Sequence, residues 1–282
     1  MHGAAYFGFA ITAVVVIYLI ARKFREKPRR KLAKPDVVVL HQFHRSPWLG
    51  VLSLSPPCLK LETFLLRMVK IPYENDFRLI YSKQGKMPWI EFNGKEIADS
   101  DFCTRFLSKE FHVDVDSHLS ATERAIAHNI RTMLESNTYW TMVHARWLDS
   151  YGAVFRERLF GTISPPMRYL ARFLNHRKVK NYLWSHGIGR NTPQEMYGIA
   201  ERDLLAASEI LGKKDFLFGD KPCLADAALF SFIVACNWAM PDCPMAILVK
   251  TKAQNLEEHA HRMKELYYPD WDELLSQKLK TK

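Results

Sequence analysis

Five cysteines in 282 residues is an odd number, and Cys58, Cys103, Cys223, Cys236 and Cys243 are well spread along the chain. No Cys-x-x-Cys or other close pair occurs among them, so a reduced, cytosolic compartment fits better than a disulfide framework. Histidines are equally sparse in pattern. His41 with His44, and His259 with His261, lack the i, i+4 spacing with an intervening glutamate that a helical metal site needs. No residue set reads as a metal centre. No glycine-rich phosphate loop, no Ser-His-Asp arrangement, no internal repeat and no low-complexity segment is present. Acidic residues are scarce in one place: residues 22–34 hold Arg22, Lys23, Arg25, Lys27, Arg29, Arg30, Lys31 and Lys34 against Glu26 alone. That cluster accounts for seven of the ten net positive charges, so the basic character belongs to one short segment and not to a nucleic-acid-binding face.

Just before the cluster, residues 4–21 carry no charge at all. At ~1.5 Å per residue they would span ~27 Å as a helix, close to a ~30 Å hydrocarbon core. Basic residues follow this run instead of preceding it, and no small-residue cleavage site closes it. The expectation is therefore a single membrane anchor, not a cleaved leader. The cations put the folded remainder on the cytosolic side and hold residues 22–34 against anionic lipid. Residues 1–34 are then anchor and linker.

The next stretch alternates strand and helix. Residues 37–40 form a continuous apolar run, the mark of a strand buried on both faces. A helix is predicted over 56–69, strands over 73–79 and 87–92, then Asn93-Gly94 as a type I′ turn into Lys95-Glu96-Ile97-Ala98, and a helix from Ser100 to about Phe111. That order, β-α-β-β-β-α over residues 35–115, is thioredoxin-like. From 116 to 282 the pattern is helical. Ser120 with Glu123 and Thr192 with Glu195 read as capping boxes, and Pro165-Pro166 opens another helix. The run 224–239 is apolar apart from Asp226, Ser231 and Asn237, too short to span a membrane comfortably, and reads as a buried central helix. Trp140, Trp147, Trp184, Tyr139 and Tyr182 sit at helical spacing and are expected in the core or at a domain interface.

The chemistry concentrates at Leu54-Ser55-Pro56-Pro57-Cys58-Leu59-Lys60-Leu61-Glu62. Ser55 can cap the helix and proline suits its first position, so a thiolate placed here meets free N–H groups and the positive helix end. A thioredoxin-like half followed by a helical half resembles the glutathione transferase superfamily. Ser55-Pro56-Pro57-Cys58, Lys86-Met87-Pro88-Trp89-Ile90 and the run from Phe216 through Asp220 to Asp226 carry that match. Leu40-His41-Gln42-Phe43 together with the first two motifs and the N-terminal apolar segment more closely resembles the failed-axon-connections family, which includes cadmium-responsive proteins and is related to metaxins.

The resemblance implies a role for each of these residues. Ser55 would donate a hydrogen bond to the thiolate of bound glutathione and tune its acidity. Pro88 would be cis, turning the Met87 backbone toward the cysteinyl part of glutathione. Asp99 and Ser100 would hold its γ-glutamyl end, or simply cap the following helix. Cys58 is either a packed thiol or a reactive one, and a single thiol binds soft metal weakly because tight sites need several thiolates. Asp226 would form the structural cap of the central helix, with Cys223 a weaker acceptor than the usual hydroxyl. Expected partners are glutathione, membrane lipid and, since such folds often pair, a second copy of the chain. Two functions remain open. One is a membrane-anchored, glutathione transferase-like enzyme in cadmium or xenobiotic stress. The other is a non-catalytic adaptor at a membrane, in axon development or on an organelle, with a lysosomal or other endomembrane location expected.

Overall fold

A computed structural model describes residues 35–161 and 163–276. The predicted anchor 4–21 and basic segment 22–34 lie outside the described residues. Among the described residues, no helix is long and apolar enough to cross a membrane.

Four short strands make one sheet: β1 (Val38–His41), β2 (Tyr73–Asp76), β3 (Trp89–Phe92) and β4 (Lys95–Ala98), in spatial order β2-β1-β3-β4. β1 is central and wholly buried, as its unbroken apolar run requires. It pairs parallel with β2 (Val38 opposite Tyr73) and antiparallel with β3 (His41 opposite Trp89). Asn93 and Gly94, at φ 45° and 81°, close the β3–β4 hairpin. β2 is shorter than the sequence predicts. The Asp76 carboxylate accepts the Arg78 backbone N–H at 3.1 Å and Leu79 adopts φ 55°, which turns the chain out of the sheet. The crossover helix, α1 (Pro56–Glu62), runs on through a wide π turn over Thr63–Met68, and α2 (Ser100–Glu110) follows β4.

The remainder is helical: α3 (Ala121–Met133), α4 (Tyr139–Trp147), α5 (Ala153–Gly161), α6 (Pro165–His186), α7 (Pro193–Leu211), α8 (Leu224–Ile233), α9 (Pro244–Lys252), α10 (Gln254–Tyr267) and α11 (Trp271–Ser276). Ser120 accepts the Glu123 N–H at 3.3 Å while Glu123 accepts the Ser120 N–H at 2.8 Å, and Thr192 with Glu195 repeats the device. Every residue of α8 is buried, because a helix apolar on all sides has no face to offer water. It packs against α1, α3 and α10 and so joins the two halves. Each of its large apolar side chains contributes roughly 1.5–3 kcal/mol by burial. The end of the chain folds back onto the sheet domain. The Tyr268 hydroxyl meets Thr63 Oγ1 at 2.8 Å, Arg67 donates to Asp270 at 2.6 Å, and Trp271 Nε1 donates to the Gly50 carbonyl at 3.1 Å.

Two aromatic expectations are corrected. Trp184 and Tyr182 are more than half exposed, because α6 buries only Val179 and Leu183 along its 22 residues. Trp140, Trp147 and Tyr139 do pack against the core.

Candidate functional site

The register brings several predicted residues to one end of the sheet. His41 lies opposite Trp89 and Trp89 opposite Ala98. The chain therefore leaves β1, enters β3 after Pro88 and leaves β4 at Asp99 on the same edge, where α1 also begins. The Met87–Pro88 peptide is cis, and Met87 precedes the first rung of the β3 ladder.

Ser55 occupies the N-cap position of α1 with extended backbone (φ −103°, ψ 109°), and its carbonyl accepts the N–H groups of Cys58 and Leu59 at 3.0 and 3.1 Å. Its hydroxyl makes no capping bond, contrary to the expected cap; Ser53 Oγ instead accepts the Ser55 N–H at 3.2 Å. Cys58 is fully buried. Burial pushes its thiol up to about 12, against the opposing pull of the Ser55 hydroxyl and the Phe43 backbone. A thiol so placed stays protonated at neutral pH, and its inward position is that of a packed residue.

Asp99 caps α2: its Oδ1 accepts the Asp101 N–H at 3.0 Å. Its Oδ2 accepts a hydrogen bond from Lys86 Nζ at 2.7 Å. Partial burial pushes this carboxyl up, but the Lys86 hydrogen bond and the Asp101 N–H outweigh it, so the group sits below its ordinary value. The carboxylate that would meet an incoming ammonium is thus already held by one. Ser100, the first residue of α2, is buried.

Asp226 is buried and three-way bonded. Oδ2 accepts the Cys223 N–H at 2.8 Å, while Oδ1 accepts the Leu217 N–H at 2.9 Å and faces His259 Nε2 at 2.8 Å. It ties the loop before α8, the start of α8 and α10 together. His41 stacks on Trp89 with ring centroids 3.7 Å apart, and its ring nitrogens face Asp76 at 3.3 Å and Glu91 at 3.1 Å. Among the described residues no group of three or more His, Cys, Asp or Glu side chains is arranged to hold a metal ion.

Three arrangements escape sequence reasoning. Under α1, buried Glu62 accepts from Arg45 (2.6 Å), the Tyr73 hydroxyl (2.9 Å) and Asn75 (3.1 Å), and Gln42 donates to Asn75 at 2.7 Å. The signal was there: Glu62 stands four residues after Cys58, on the face that packs inward. Lys60, also buried, reaches Glu135 at 2.6 Å across the domain boundary. Cys236 and Cys243, seven apart and unremarkable in sequence, have their sulfurs 3.6 Å apart in the helical core.

A small cavity of about 10 Å³ lies between the first turn of α1 and the helical half, lined by Pro56, Pro57, Leu134, Glu135, Tyr139 and Phe232 and by none of Ser55, Cys58, Met87, Pro88, Asp99 or Ser100. A larger groove of about 400 Å³ lies between α4, α5 and α6 and is lined by none of the predicted site residues.

Comparison with known proteins decides the family. Residues 56–152 match the model of the glutathione S-transferase N-terminal domain, and residues 200–263 that of the C-terminal domain. The chain is 34% identical over 253 residues to failed axon connections of Drosophila melanogaster, across 85% of this chain and 60% of that protein. It is 28% identical over 178 residues to a metaxin-2 homolog of Caenorhabditis elegans, across 61% of this chain and 76% of that protein. The chain belongs to a metaxin-related, glutathione S-transferase-like family. A glutathione transferase family member from Pseudomonas fluorescens, solved with two glutathione molecules bound, has the same fold at TM-score 0.55 and 12% identity, over 86% of this chain and 94% of that one. This chain spans about 60% of the length of the Drosophila relative.

Proposed function

We propose that this protein is a transferase-fold adaptor tethered to a membrane, and that its folded halves serve protein and lipid contacts rather than turnover of an electrophile. The observation that carries the reading is the Lys86–Asp99 pair: Nζ lies 2.7 Å from Oδ2 and neutralises the acid that a γ-glutamyl ammonium would need. Residues 4–21 supply the tether, residues 22–34 lie against anionic lipid, and the folded halves face the cytosol.

A specific observation favours a second reading. The Ser55 hydroxyl is not spent on capping, and it stands at the helix start on the same sheet edge as cis-Pro88. In that reading Ser55, Met87, Asp99 and Ser100 bind glutathione and the protein serves a cadmium or xenobiotic stress response. A thermal-shift titration of the full chain in detergent micelles separates the two, because a ligand that binds only the folded state raises its midpoint. The adaptor reading expects no shift with millimolar glutathione. A shift that Ser55→Ala abolishes overturns it in favour of the second.

A further inference from the structure

Helix α6 presents a surface that the core does not use. It carries Arg168, Arg172, Arg177, Lys178 and Lys180 and not one acidic residue. Met167, Leu170, Phe173 and Leu174 are all exposed, and their spacing of three, six and seven residues puts them on one face. Tyr169 is 73% exposed and Phe173 61%, values that no packed side chain shows. Arg177 continues the apolar face seven residues after Leu170, and Trp184, 56% exposed, follows another seven on. Neighbouring α5 adds exposed Val154 and Leu159. Contiguous exposed apolar surface of this kind marks an interaction site.

The groove between α5 and α6 adds an independent observation. Arg156 and Arg172 both line it, with Glu157 its acidic side chain and Phe160 and Phe173 among its apolar walls. Arg172 Nε is buried without a hydrogen-bond partner. Burial, and then the charge of Arg172, push the Arg156 guanidinium below its ordinary value against the opposing pull of Asp149, and Arg156 Nη1 donates to the Arg146 carbonyl at 2.6 Å.

We propose that the α5–α6 face seats on an anionic phospholipid surface, with a headgroup phosphate entering between Arg156 and Arg172. Cations interleaved with aromatic and aliphatic side chains on one helix suit the boundary between headgroups and acyl chains. Charge decides the occupant. A second copy would set one acid-free helix against another, and a nucleic acid would leave Met167, Leu170 and Leu174 without apolar contact. This surface is separate from the N-terminal tether and would lay the folded domain flat on the membrane that the tether enters.

The test uses the full chain. The five native cysteines are buried, so an environment-sensitive fluorophore on Phe173→Cys reports that site alone. The protein is reconstituted into phosphatidylcholine vesicles with or without phosphatidylserine, some carrying acyl-chain quenchers. The expected result is a blue shift and acyl-chain quenching that require phosphatidylserine. Both are lost when the exposed cations are reversed (Arg177→Glu, Lys178→Glu, Lys180→Glu), while the chain still floats with the vesicles. A label on Lys109→Cys, on α2, stays unchanged. An unshifted Phe173→Cys probe on phosphatidylserine vesicles overturns the proposal. So does an equal shift in both lipids, or a blue shift without lipid, which would assign the face to a second copy or to the chain's own N-terminal segment.

Discussion

Replacing Arg45 by methionine leaves Glu62 as a buried carboxylate without its cation. Both side chains are shielded, Glu62 completely and Arg45 to 8% exposure. Breaking a buried pair by removing one partner costs about 3–5 kcal/mol. The Tyr73 hydroxyl and the Asn75 amide still donate to Glu62 Oε1 at 2.9 and 3.1 Å, which places the expected loss near the lower end, about 3 kcal/mol at neutral pH. For a chain of this size that lowers the melting midpoint by roughly 6–12 °C. The pH profile adds a second signature. In the native protein, burial pushes the Glu62 carboxyl up, but the Arg45 charge and the hydrogen bonds from Arg45, Gln42 and Asn75 outweigh it and hold the group below its ordinary value. Its contribution is therefore present above the unfolded value of about 4.3 and is lost as pH falls through the lower folded value. Without Arg45, burial prevails and the folded value rises above about 4.3, so stability is lost as pH rises through it. Denaturant unfolding followed by tryptophan fluorescence should find the variant's deficit largest at pH 7 and smaller near pH 4. Arg45→Met combined with Glu62→Gln should recover most of the loss. A deficit below about 1 kcal/mol, with a pH profile parallel to the native one, would refute the assignment of this pair as a buried, charge-compensated unit.

Three further outcomes follow from the packing. Gly152→Ala should destabilise by about 1–3 kcal/mol in the same unfolding assay, since a Cβ there would lie 1.8 Å from the Arg146 carbonyl oxygen and force the backbone to move. Asp226→Ala should cost about 3–5 kcal/mol, because the N–H groups of Leu217 and Cys223 and the ring of His259 lose their shared acceptor; a loss under 1 kcal/mol in chemical denaturation would sink that role. A thiol reagent should titrate none of the five cysteines in the native protein and all five in denaturant, and rapid native reaction at Cys58 would contradict its burial.

Much of the fold was legible because local signals agreed with one another. The apolar run at 37–40 announced a strand buried on both faces, Asn93-Gly94 announced the hairpin, and the two capping boxes announced α3 and α7. The site was legible only as a set of positions. That Lys86 would occupy Asp99 depends on a contact spanning 13 residues, which no spacing rule states. The Cys236–Cys243 approach was hidden for a local reason: Val234–Trp238 is a wide π turn, so helical periodicity misplaces Cys236. Trp184 and Tyr182 misled in the opposite way. Aromatic residues at helical spacing read as core, yet α6 turns most of its circumference outward, and periodicity cannot say which face meets a neighbour.

The contacts of Tyr268, Asp270 and Trp271 with Thr63, Arg67 and Gly50 bear on how the protein is made. The sheet domain is synthesised before the helical half, and the residues that clasp it come only after that half, well beyond the last strand at Ala98. The Gly50 carbonyl and the Thr63 hydroxyl must therefore wait through synthesis of the whole helical half before their partners arrive. A message truncated just before Tyr268 would encode every strand of the sheet and still yield a sheet domain that never closes.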